Sequence, residues 1–145
     1  MYIGKASEVT EELQQASQRL IPQLTLHKNP PTWDEITDLV KSESLTLLVA
    51  RNPEANGAII GILSLILYRV PTGVRSIVED LVVDEEMRGH GVGKALLSYA
   101  IRLAREAGAD GIALTSNPRR VAANQMYQSM GFEIRKTNAY IYELK

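Results

Sequence analysis

From residue 83 to residue 95 the chain reads Val-Asp-Glu-Glu-Met-Arg-Gly-His-Gly-Val-Gly-Lys-Ala, and no other stretch constrains its fold as tightly. The aliphatic run Leu81-Val82-Val83 enters it as a strand. Val92, Leu96, Tyr99 and Leu103 leave it on one face of a helix. Between them Gly89, Gly91 and Gly93 stand at alternate positions. Glycine permits positive φ and close backbone approach, so successive N–H groups can converge on one anion. The unpaired amides and the dipole of the new helix add to that pull, and Arg88 and Lys94 bring positive charge to the same place. The reading is a cradle for a diphosphate. Spacing excludes two well-known cradles. A P-loop needs four residues between its glycines and Ser or Thr after the lysine, whereas here three intervene and Ala95 follows. The dinucleotide fingerprint needs two residues between its last glycines, and only Val92 separates Gly91 from Gly93.

The rest of the chain arranges itself around this turn. A short opening strand precedes a helix with Val9, Leu13, Ala16, Leu20, Ile21 and Leu24 at helical spacing. His27 to Pro31 break it. Thr32 and Glu35 then have capping-box spacing for a second helix ending near Lys41. Leu45 to Arg51, Ala58 to Val70 and Ser76 to Val83 read as three antiparallel strands joined by turns. Gly108 ends the helix after the glycine turn. Gly111 to Ser116 is the next strand, parallel to its neighbour because a helical crossover joins them. Asn117-Pro118 opens another helix, which Gly131 closes, and Phe132 to Lys136 and Ala139 to Leu144 add two last strands.

Composition removes several classes of function. With 145 residues and no linker or repeat, one domain over residues 1–145 is expected. Sixteen basic residues against seventeen acidic ones show no charge excess for nucleic acid, and no nucleic-acid partner is expected. The absence of cysteine removes disulfides, thiolate metal sites and a cysteine acyl-enzyme. His27 and His90 stand far apart without ligand spacing, so no metal is expected. The N-terminus lacks the apolar core of a signal peptide, and Ala58 to Tyr68 is about half of the ~20 residues that cross a bilayer. No membrane partner is expected, and the cytoplasm is the default location.

The pattern Arg88-x-x-Gly91-x-Gly93 resembles the signature of the GNAT N-acetyltransferase family. The order of elements matches that family along nearly the whole chain. A second segment, from Asn117 to Phe132, is similar to the family's Ala-x-x-x-Tyr-x-x-x-Gly-Phe element, met by Ala123, Tyr127, Gly131 and Phe132. The resemblance implies an α/β acyl-CoA N-acyltransferase fold, a mixed sheet of about seven strands with about four helices. It implies acetyl-coenzyme A as co-substrate, its diphosphate on the amides of Arg88, Gly89, His90, Gly91, Val92, Gly93 and Lys94. Leu81, Val82 and Val83 would pair with the pantetheine arm, in a gap between their strand and that of Ile112 to Ser116. Asn117 and Asn124 are implied as further cofactor contacts, Asn124 through the pantetheine or the nearby backbone. Tyr127 is implied beside the sulfur. Arg119 and Arg120 either meet the adenosine 3′-phosphate or face water.

Acetyl transfer to an amine needs a neutral acceptor, although a lysine-like ammonium has a pKa of ~10.4, and it needs a proton for the departing thiolate. Tyr127 can donate one, since a phenol keeps its proton to pH ~10. Without cysteine, direct attack in a ternary complex is favoured over a covalent relay. Glu79 and Asp80 precede Leu81, and side chains alternate along a strand, so one of the two faces the acceptor. Glu79, acting through a water, is taken as the base. The acceptor is read as a small-molecule or peptide amine, shaped in the family by the loop from Leu26 to Trp33, and a homodimer is left open. Two other readings stand beside this one: a non-catalytic acyl-CoA sensor, and a toxin acetylating aminoacyl-tRNA, which would want a basic face.

Overall fold

A computed structural model describes residues 1–145. The chain divides into two compact units, Met1–Leu114 and Thr115–Lys145.

The first unit holds a mixed sheet in the order β1-β2-β3-β4-β5. Strands β1 (Tyr2–Lys5), β2 (Leu45–Asn52), β3 (Ala58–Val70) and β4 (Gly73–Val83) form an antiparallel meander, and β5 (Ile112–Ala113) lies parallel to β4. Helices α1 (Glu11–Leu24) and α2 (Trp33–Lys41) pack on β2, β3 and β4, and α3 (Val92–Glu106) packs on β1 to β4. The alternation of β2 explains the two layers. Leu47 and Val49 join Leu13, Ala16, Leu20 and Ile36 in one core cluster, while Leu48 and Ala50, fully buried, point the other way. Leu96, Leu97 and Ala100 of α3 are likewise fully buried. Gly61 is where α3 comes closest: a Cβ there would meet Leu96 Cδ1 at 3.2 Å and Val92 Cγ1 at 3.3 Å. Each buried leucine contributes about 1.5–3 kcal/mol.

Local signals in the sequence are met by local structure. Thr32 accepts the N–H of Glu35 at 3.2 Å, and Glu35 accepts the N–H of Thr32 at 3.0 Å, which is the expected capping box of α2. Helix α3 ends with Gly108 at φ 78°, its N–H bonded to Arg105 O and that of Ala109 to Ala104 O. No helix is long and apolar enough to cross a membrane.

Strand β4 departs from regular alternation. Ile62 faces Val82 while Ser64 faces Glu79, so residues 79 to 82 of β4 span residues 62 to 64 of β3. The extra residue makes a β-bulge, and Asp80 sits in it at φ 50°. Aspartate is among the few residues that tolerate this left-handed region.

The second unit contains α4 (Val121–Ser129). It begins three residues after Pro118, because Asn117 first closes a turn: its Oδ1 accepts the N–H of Arg119 and its carbonyl that of Arg120. Gly131, at φ 98°, ends the helix as expected. Its N–H bonds Gln128 O, and that of Phe132 bonds Tyr127 O.

The sheet has five strands rather than about seven. The two expected from Phe132 to Lys136 and Ala139 to Leu144 do not form, and the strand expected from Gly111 to Ser116 shortens to Ile112–Ala113. No residue after Phe132 donates or accepts a backbone hydrogen bond. Ile134, Tyr140, Ile141, Tyr142 and Leu144 are between 82% and 90% exposed. β-branched and aromatic residues favour a strand only against a packed face and a paired neighbour, and these residues have neither.

Candidate functional site

The glycine turn is a backbone surface. Between β4 and α3 the chain makes one 3₁₀ turn, Glu85–Met87, capped by Asp84, and then runs through Arg88 to Gly91. Gly89 and Gly91 both adopt φ 81°, and a Cβ on either would meet nothing within 4 Å. Open space, and not crowding within the protein, surrounds these glycines. Gly91 is the N-cap of α3 and supplies no side-chain cap. No amide from Gly89 to Lys94 donates to a backbone acceptor, and the first internal bond of the helix is Ala95 N–H to Gly91 O, at 3.0 Å. A run of unspent donors at a helix start is the arrangement that binds phosphate oxygens. His90 turns its Nδ1 back toward Met87 O and Arg88 O, at 3.2 and 3.1 Å, so its ring braces the turn. Arg88 spends its Nε on Val83 O at 3.2 Å.

Two contacts from α1 hold the turn. Arg19 reaches Asp84 at 3.2 Å and also donates to Ile59 O, while Gln23 Oε1 accepts the N–H of Glu85 at 2.8 Å. Nothing in the sequence marked Arg19 or Gln23, because each acts across more than sixty positions of chain.

Leading into the turn, Leu81 and Val82 are buried and Val83 half-buried. Pairing between β4 and β5 is confined to Ser76 with Ile112 and Ile77 with Ala113. From Val78 to Val83, β4 has no strand partner on that edge, so its backbone groups there are left unpaired by the sheet.

A cavity of about 260 Å³ lies on the α1 and α2 side of the same strand. Helices α1 and α2, the connection between them, and β2, β3 and β4 all contribute to its wall. Asp80 lines it and Glu79 does not. The bulge is the cause: it interrupts the alternation on which the choice between these neighbours rested. Lys28, Asn29 and Pro31 also line the cavity, within the loop singled out from Leu26 to Trp33. No group of three or more His, Cys, Asp or Glu side chains is arranged to hold a metal ion.

In the second unit, Asn124 donates its Nδ2 to Asn117 O at 3.0 Å, which ties α4 to the loop before it. Tyr127, 7% exposed, is the buried residue of α4. Its ring meets Phe132 edge-on, with centroids 5.9 Å apart. The same two residues share the helix-terminating hydrogen bond, so the Gly131-Phe132 pair fixes the tyrosine as well as ending the helix. Burial raises the Tyr127 phenol above its ordinary pKa, and the nearby Arg120 opposes part of that rise. The phenol is therefore a proton donor throughout the neutral range. Ser116 Oγ is buried without a hydrogen-bond partner.

Comparison with known proteins agrees with this geometry. A family model described as the acetyltransferase (GNAT) family matches residues 8–132. N-acetyltransferase family 8 member 2 of Rattus norvegicus is 29% identical over 93 residues, 63% of this chain and 40% of its own. The chain thus spans about two fifths of that relative's length, and 39% of the similar rat family 8 member 3. Among solved structures, a Trypanosoma brucei acetyltransferase is 25% identical with a TM-score of 0.72, covering 98% of this chain and 100% of that one. An aminoglycoside acetyltransferase from an uncultured soil metagenomic sample is 17% identical with a TM-score of 0.82, covering 99% and 96%. At that identity the likeness is one of fold.

Proposed function

Because this chain belongs to the acetyltransferase (GNAT) family, we propose that it transfers an acetyl group from acetyl-coenzyme A to a primary amine in a ternary complex. The observation that carries the reading is the row of unspent amides from Gly89 to Lys94, beside two glycines whose Cβ positions are open. The donor set fits a diphosphate in chemistry and in clearance. Leu81 to Val83, on the unpaired edge of β4, would hold the pantetheine arm by backbone hydrogen bonds, and Asn117 and Asn124 are proposed as further cofactor contacts. Acetyl-coenzyme A supplies a thioester, an activated acyl group with a good leaving sulfur.

The chain's own residues then manage two protons. Glu79, through a water, takes a proton from the acceptor's ammonium, so that the free amine can form the C–N bond as the C–S bond breaks. Tyr127 gives its phenolic proton to the departing sulfur, and the nitrogen's second proton, lost as the amide forms, passes through water to restore the phenol. Burial keeps the phenolic proton in place at neutral pH. The products are an N-acetyl amide and the free thiol of coenzyme A. The match over residues 8–132 supports treating the chain as one acetyltransferase domain.

The test is thiol release from acetyl-coenzyme A with a panel of amines. The protein has no cysteine, so every thiol detected is coenzyme A. Amine-dependent release supports the proposal. Calorimetry showing no binding of acetyl-coenzyme A would overturn it.

A further inference from the structure

The cavity beside β4 has a composition that discriminates among amines. Ile21 and Leu24 of α1, Ile36 and Leu39 of α2, and Leu47 and Ile62 of the sheet give it aliphatic walls, broken by the neutral polar groups of Ser17, Thr25, Asn29 and Ser64. Ile36, Leu47 and Ile62 belong to the buried core, so this wall is rigid where it meets the sheet. At about 260 Å³ the space is small against the ~300–1,000 Å³ of pockets that take drug-sized ligands.

The charged groups are few and differ in their freedom. Glu35 is engaged by Thr32 in the capping box of α2, which also holds its carboxyl below the usual range. Asp80 has no hydrogen-bond or ion-pair partner in the chain, and the bulge presents it at a positive φ. Lys28, on the same cavity, is also without an acidic partner. One free carboxylate satisfies one ammonium. A lysine at the rim repels a second. Ser17, Thr25, Asn29 and Ser64 can meet a few hydroxyls, but the further ammoniums of an aminocyclitol sugar find no second free carboxylate, at a cost that an apolar group does not incur.

Resting on the acetyltransferase reading above, we infer that the acceptor is a monoamine whose single nitrogen stands next to a compact apolar group, bound first as the ammonium by Asp80 with the apolar group against α1 and α2, and deprotonated there through the water on Glu79. Polycationic aminoglycosides are excluded from the class. The shared chemistry has two sources, a simple alkylamine or an apolar amino acid. Lys28 separates them, since only the amino acid offers it a carboxylate.

The experiment uses the full chain, acetyl-coenzyme A and thiol detection, with n-alkylamines of increasing length, isoamylamine, leucine, leucinamide and kanamycin. Along the alkylamines kcat/KM is expected to rise about fourfold per methylene until the cavity is full. Kanamycin is expected to be the poorest acceptor. Asp80→Asn keeps both the shape and the tolerance of positive φ, and should raise KM for isoamylamine about tenfold or more while leaving acetyl-coenzyme A affinity unchanged. Asp80→Gly, which relaxes the backbone and deletes the carboxylate, should do the same, so a folding defect cannot imitate the result. Leucine surpassing leucinamide would assign the carboxylate to Lys28, and the reverse order would assign the simple amine. A flat alkyl series, a preference for kanamycin, or unchanged KM in both Asp80 variants overturns the inference while the acetyltransferase proposal stands. Binding of acetyl-coenzyme A without turnover of any of these amines overturns it too. No binding of acetyl-coenzyme A removes the proposal and the inference together.

Discussion

The two sides of β4 are built from different materials. Toward the start of α3 the surface is backbone: amides from Gly89 to Lys94 without acceptors, and glycines with open space where side chains would stand. Toward α1 and α2 the surface is side chain, a cavity of aliphatic and polar residues with one free carboxylate on a bulge. On the proposed reading, the backbone surface would meet what every acyl-coenzyme A carries, and it tolerates wide changes of sequence around it. A side-chain surface changes with each substitution. The contrast separates a proposed donor side that is general from a proposed acceptor side that is particular to this chain, with Arg19 joining them through Asp84 and Ile59.

The largest expected effect sharpens that contrast. Tyr127→Phe keeps the ring and its edge contact with Phe132 but removes the proton, and should lower kcat by about 10²–10⁴-fold. The KM for acetyl-coenzyme A should barely move, because the proposed donor grip is made of backbone. Steady-state kinetics beside a thermal melt checks this. A large rise in that KM would break the contrast by making a side chain part of the grip. Because burial raises the phenol's pKa, no loss of rate attributable to Tyr127 is expected below pH ~10.

Leu96 tests the support beneath the donor side. It is fully buried between α3 and the sheet, and its Cδ1 lies 3.2 Å from where a Cβ on Gly61 would be. Leu96→Ala should cost about 2–5 kcal/mol in a denaturant titration. Well below its melting temperature the variant should still bind acetyl-coenzyme A normally, since the turn's conformation comes from glycine φ angles. Lost affinity in the folded variant would show that packing, as well as backbone, shapes the turn.

On the acceptor side, Glu79→Gln should reduce turnover at neutral pH by about tenfold or more and recover as pH rises toward the amine's pKa of ~10.4, where solvent supplies the free base. Uniform loss at every pH would assign Glu79 a structural part and leave Asp80 as the only carboxylate of consequence there.

How much of this could be read beforehand follows the range of the interactions. The capping box of Thr32 and Glu35, the glycine turn, and the ends of α3 and α4 at Gly108 and Gly131 involve neighbours within five residues, so spacing alone revealed them. The bulge at Asp80 was hidden because it exists only in the register between β3 and β4. Alternation suggested one carboxylate facing the acceptor, and the bulge brought Asp80 to the cavity. Tyr140, Ile141 and Tyr142 looked like a strand because their types favour one, but a strand needs a partner that composition does not name. Arg19 and Gln23 carried no mark at all.

The smallest effect is a control where β2 meets α1. Arg51 holds Glu12 at 2.8 Å, and this hydrogen-bonded pairing lowers the Glu12 pKa. A lowered carboxylate pKa adds stability that is present above the unfolded value of ~4.3 and is lost as pH falls through the folded one. With Glu12 half exposed, Glu12→Ala should change stability by less than ~1 kcal/mol at pH 7 and leave both substrates' KM values alone. Melts at pH 7 and pH 3 measure it. The difference between variant and wild type should shrink at the lower pH.

Isothermal titration of acetyl-coenzyme A into the wild-type protein and Gly91→Val tests most directly whether the backbone turn holds the donor. Gly91 stands at φ 81°, where a β-branched residue is strained, yet no neighbour would clash with its side chain. The fold should therefore survive, as a melt or far-ultraviolet circular dichroism would show. The turn should reorganise, and a side chain should fill the space that a diphosphate needs. The expected result is tight binding by the wild type and a loss of at least about 100-fold in the variant, roughly the removal of two charge-assisted hydrogen bonds. Equal affinity in two equally folded proteins would contradict it and put the diphosphate somewhere other than this turn.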